Sequence, residues 1–145
     1  KDADTWLEQG RHESAEPLLR EILAADEGFP AAHGSLGRCL LQRRQLPEAI
    51  AAFRRCLELD PAADRVRTNL AVALYLSGEF AAALEESGIV LETNPELVEA
   101  RYNLGLSLEA LGRIDEAERV YAECLDHAPD LLPARQRLEA LQQRE

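Results

Sequence analysis

Apolar and small residues fall three and four apart along most of the chain, as in Leu36, Cys39, Leu40 and again in Ala49, Phe53, Cys56. That spacing predicts amphipathic helices. The pattern also recurs at long range. Pro61, Pro95 and Pro129 stand at steps of 34 residues, and the residues around them keep the step. A fixed period of this length outranks any local motif as a guide to fold. Counting each repeat of 34 positions from Pro30, Asp64 and Val98, position 7 is Leu36, Leu70 and Leu104, and position 8 is Gly37, Ala71 and Gly105. Position 20 is Ala49, Ala83 and Ala117, position 24 is Phe53, Ser87 and Tyr121, and position 27 is Cys56, Val90 and Cys124.

Small residues at positions 8, 20 and 27 let two helix backbones approach closely, and the larger ones at 7 and 24 fill the space around them. Each repeat therefore reads as a helical hairpin. First helices are predicted over 30–43, 64–77 and 98–111, and second helices over 46–59, 80–93 and 114–127. Gly78 and Gly112 sit where the first helix needs a left-handed cap, Arg44 holds that place in the first repeat, and Pro61, Pro95 and Pro129 stop the second helices. Pro47 falls in a first turn, where its missing N–H costs nothing.

The run Arg101-Tyr102-Asn103-Leu104-Gly105, with Gly112, Asp115-Glu116-Ala117, Tyr121 and Pro129, resembles the tetratricopeptide repeat (TPR). The resemblance implies an all-α fold, a right-handed superhelix of stacked antiparallel helical hairpins closed by a C-terminal capping helix. It divides a single domain over 1–145 into a partial repeat at 1–29, full repeats at 30–63, 64–97 and 98–131, and a cap at 132–145. Trp6, Leu7, Gly10, Ala15, Leu19, Ile22 and Asp26 carry the partial repeat, and Leu138 and Leu141 give the cap its apolar side. Some residues depart from the family pattern. Arg67 and Arg101 hold position 4, which is usually large and apolar, and Pro17 is expected to interrupt the helix it lies in. Ser87-Gly88 predicts a looser joint, because Ser replaces a packing aromatic and Gly inside a helix costs ~1 kcal/mol against Ala.

Charge narrows the classes of partner. The net charge is −11, distributed as −5, +2, −4, −5 and +1 over the five segments just defined. A nucleic-acid or anionic-membrane footprint would need a basic face, so both are disfavoured. Apolar runs such as Ile89-Val90-Leu91 are far shorter than the ~20 residues that span a bilayer. Cys39, Cys56 and Cys124 are odd in number and widely spaced, which argues against a disulfide framework or zinc ribbon and for a reducing, cytoplasmic setting. The first residue is Lys1, so the chain reads as an excised segment.

The resemblance also implies a working face. In this family the concave wall is lined by first-helix positions 2, 5, 6, 9, 12 and 13, which here place Arg38, Arg65, Asn69, Tyr75, Glu99, Tyr102 and Asn103 on it, with Arg137 added by the cap. Asn69 and Asn103 both hold position 6, where a carboxamide can donate to a peptide carbonyl and accept from its N–H at once. Tyr75 and Tyr102 would supply stiff amphipathic contacts. Arg65, Asn69, Asn103 and Arg137 also match four places of the carboxylate clamp of chaperone-binding TPR domains, with Pro133 in the fifth.

No motif supports catalysis, a cofactor or a metal. Cys124 and His127 are three apart with no further ligands at a matching spacing, and Gly34-Ser35-Leu36-Gly37 lies inside a predicted helix rather than at a strand-to-helix turn. The sequence thus predicts a non-enzymatic adaptor that binds a peptide segment of another protein. Two other readings stand beside it: the substrate-recruiting TPR region of a larger enzyme such as a glycosyltransferase, and a scaffold that self-associates by stacking its partial first repeat on another copy's cap.

Overall fold

The structure is a computed structural model that describes residues 12–144. Among them are eight helices and no strand: α1 His12–Ala25, α2 Pro30–Gln42, α3 Leu46–Leu59, α4 Asp64–Leu76, α5 Phe80–Thr93, α6 Val98–Ala110, α7 Ile114–His127 and α8 Leu132–Gln142. Trp6, Leu7 and Gly10 lie outside the described residues. The chain divides into two compact units, Lys1–Ser77 and Gly78–Glu145. In the first, α1 packs on α2, α2 on α3 and α3 on α4; in the second, α5 packs on α6, α6 on α7 and α7 on α8.

The helices begin and end where the 34-residue register places them, the first helices closing one residue early because Arg43, Ser77 and Leu111 serve as C-caps. Gly78 and Gly112 then turn left-handed at φ 83° and 79°, and Arg44 does the same at φ 61°. For a residue with a Cβ that conformation costs about 1–2 kcal/mol, which the helices on either side of Arg44 override. Pro17 does not interrupt α1. The helix runs through it, since one lost hydrogen bond is outweighed by the burial of Ala15, Leu19 and Leu23 on the packed side while Pro17 faces outward. At Ser87-Gly88 the helix α5 is continuous, Ser87 is fully buried, and its hydroxyl has no hydrogen-bond partner among the described residues.

Packing within the first and third full hairpins is set by the size of two residues. Ala15, Ala49, Ala83 and Ala117, one at position 20 of each repeat, are all fully buried. At position 8, a Cβ added to Gly37 would stand 2.5 Å from the Phe53 ring, and one added to Gly105 would stand 2.6 Å from the Tyr121 ring. Position 8 is therefore Gly where position 24 of the same repeat is a large aromatic. The second repeat, with Ser87 at position 24, has Ala71 at position 8.

The arginines at position 4 have a use that the family pattern hides. Arg67 donates to the Pro61 carbonyl at 3.2 Å, Arg101 to the Pro95 carbonyl at 2.5 Å and Arg135 to the Pro129 carbonyl at 2.7 Å. His33, at the same position of the first full repeat, reaches the Glu27 carbonyl at 2.7 Å through Nε2. Every turn between repeats is thus tied by a side chain six residues further on. Two of these turns are also closed from inside, by Gly28 N–H donating to Asp26 and Ala62 N–H donating to Asp60.

Candidate functional site

In the first unit the candidates rise from two first helices. Arg65, Asn69 and Val72 are four and three apart on α4 and continue to Tyr75, so they share one face. Arg65 is exposed, while Asn69 and Tyr75 are half-buried. Arg38 is exposed on α2. Thr68 turns the other way, its hydroxyl donating to the Asp64 carbonyl at 2.8 Å inside the helix. The side-chain amide of Asn69 has no hydrogen-bond partner among the described residues.

In the second unit Glu99, Tyr102, Asn103, Leu106 and Glu109 follow the same spacing along α6. Tyr102, Asn103 and Leu106 are half-buried, and Glu99 is exposed in the first turn. The Tyr102 ring leans on that of Tyr121, 5.9 Å between centroids and tilted by 46°. The side-chain amide of Asn103 again has no hydrogen-bond partner among the described residues.

Arg137 is differently placed from the other candidates. Its Nε donates to Glu109 Oε1 at 3.1 Å, and its Nη2 pairs with Glu109 Oε2, so the fork closes on one carboxylate. The Tyr121 hydroxyl donates to the same Oε1 at 2.9 Å. Burial, and after it the neighbouring Glu109 carboxylate, push the Tyr121 phenol well above its usual range, so the group is a fixed donor. The hydrogen bond to Glu109 raises Arg137 in turn. This junction of α6, α7 and α8 was missed by sequence reasoning. Its signal is the exchange of position 6 from Asn103 to Arg137 with an acid at position 12 of the preceding first helix.

The thiols are core groups. Cys39, Cys56 and Cys124 are buried, and desolvation pushes Cys39 and Cys124 up to about 11 and Cys56 upward. No group of three or more His, Cys, Asp or Glu suited to a metal ion occurs among the described residues, and no described helix is long and apolar enough to cross a membrane.

These helical hairpins at a 34-residue period define a repeat protein of the helix-turn-helix kind. The sequence model of the tetratricopeptide repeat matches residues 3–64 and 42–89, and a second tetratricopeptide repeat model matches 98–131; the chain belongs to the tetratricopeptide repeat family. Comparison with curated protein sequences finds no match. Among solved structures, MamA from Desulfovibrio magneticus RS-1 is 20% identical with a TM-score of 0.91, over 98% of this chain and 80% of that one. YrrB, described as a TPR protein with an unusual peptide-binding site, is 21% identical with a TM-score of 0.83, over 96% and 72%. The first TPR of Spaghetti (RPAP3), bound to the HSP90 peptide SRMEEVD, is 23% identical with a TM-score of 0.77, over 79% and 91%. At such identities the likeness is one of fold.

Proposed function

We propose that this chain is a non-enzymatic protein-interaction module whose first-helix faces hold a peptide segment of a partner. One observation carries the proposal. Asn69 and Asn103 occupy the same position of successive repeats, half-buried, with amides that bond to no described residue. A carboxamide in that condition retains both donor and acceptor capacity, and an extended backbone presents both. Each such bond contributes about 0.5–1.5 kcal/mol net, so the tyrosines at Tyr75 and Tyr102 add apolar contact to reach useful affinity. The RPAP3 structure with its bound peptide and the peptide-binding site of YrrB support the reading from related folds. With a net charge of −11, the chain is a poor match for nucleic acid.

The test is capture of partners from a cell extract by the chain and by its Asn69→Ala/Asn103→Ala double variant. The expected outcome is loss of the captured protein with nearly unchanged thermal unfolding, because neither amide serves the fold. Equal capture by both would overturn the proposal.

A further inference from the structure

The face of α6 that holds Asn103 has a sign. Of Glu99, Tyr102, Asn103 and Arg137, the only cation is Arg137, and the Nε–Nη2 edge of its guanidinium is held by the Glu109 carboxylate, which offsets its charge. Turning that edge to an incoming carboxylate would strand Glu109, whose side chain is 13% exposed, and leave the Tyr121 hydroxyl facing an unpaired acid. Glu109 therefore does internally what the acid of a ligand would do. Glu99, in contrast, is exposed and has no ion-pair partner among the described residues. It lies three and four residues before Tyr102 and Asn103, on their side of the helix.

Nothing nearby in the sequence balances Glu99. Between Arg67 and Arg101 the chain has no Lys or Arg and six Glu, and the unit Gly78–Glu145 holds 15 acidic residues against six arginines, a net −9. Arg101 itself is turned away, donating to Glu123 at 3.1 Å and to the Pro95 carbonyl. We infer that this face selects a basic peptide segment, an Arg or Lys side chain meeting Glu99 and the half-buried Tyr102 ring while Asn103 takes the peptide backbone. A cation over an aromatic face beside a carboxylate is favourable on both counts. The inference rests on the peptide-holding function proposed above and adds the charge of the occupant.

The experiment is selection of a random-peptide display library on the full chain, followed by affinity measurement of the enriched peptides on variants. Enriched peptides are expected to favour Arg and Lys over Asp and Glu and to bind more weakly as salt rises. Glu99→Gln should weaken them by about two- to fivefold, the scale of an exposed charge pair. Asn103→Ala should weaken them by about two- to tenfold. Glu92→Gln removes an exposed acid from α5 and should leave them unchanged. Enrichment of acidic peptides that still depend on Asn103 would overturn the inference and keep the function. Equal weakening by Glu92→Gln and Glu99→Gln would also overturn it, as attraction to overall charge. If no peptide is enriched, the peptide-holding function fails, and the inference with it.

Discussion

Single atoms decide how closely these hairpins close. Gly105→Ala would drive a Cβ to 2.6 Å from the Tyr121 ring, in a core where Tyr121 is fully buried and cannot swing aside. Overpacking of this kind costs about 1–3 kcal/mol. Gly88→Ala is the opposite case, because a Cβ there meets nothing within 4 Å and the site is inside α5. It should stabilise by about 0.5–1 kcal/mol. Thermal unfolding of the two variants should therefore shift in opposite directions, and a Gly105→Ala protein as stable as the parent would contradict the packing described for Tyr121. The small residues of these hairpins were legible in the sequence, since a 34-residue step exposes them directly. Their pairing by size was not, because Gly105 and Tyr121 meet only when the hairpin folds.

Helix positions were legible for a related reason: turn glycines, prolines and the apolar period all mark the same boundaries. What the pattern could not show is how one helix is fixed to the next by polar groups. Glu109 and Arg137 are 28 residues apart, and nothing local in either stretch announces the pair. The consequence is testable on α8 alone. Arg137→Ala leaves Glu109 with only the Tyr121 hydroxyl, so local opening of α8 should become about tenfold more frequent, or ~1.4 kcal/mol easier. Amide hydrogen exchange over Ala134–Leu141 reads this directly. Unchanged protection there would mean that apolar burial of Ala134 and Leu141 suffices to seat the helix.

For the molecule as a whole, the buried acids of highest pKa set the response to alkali. Cys39 and Cys124 are raised from 9.0 to about 11 by desolvation, with the Glu16 charge adding to it at Cys39 and the Arg101 charge opposing it at Cys124, and Tyr121 moves in the same direction. A group whose folded pKa is raised holds its proton more tightly in the folded state. Its contribution is complete below pH 9 and is lost as pH rises from 9 towards 11. The melting temperature should fall across that window, and by less in a Cys124→Ala variant once its lower starting stability is subtracted. A profile with the same slope in both proteins would remove the thiol from the account. The candidate site stands at the other end of legibility. Its register was readable from Asn69 and Asn103, but that their amides find no partner, and that Arg137 does, depends on contacts made only in three dimensions.

The ties from position 4 to the turn before it run in one direction. Arg67, Arg101 and Arg135 each reach back to a carbonyl already behind them in the chain, and His33 does likewise. A chain emerging from a ribosome therefore cannot lock a turn until the first coil of the following repeat has been made. Each newly added repeat fastens the one before it, and the turn at Pro129 depends on α8 for its latch.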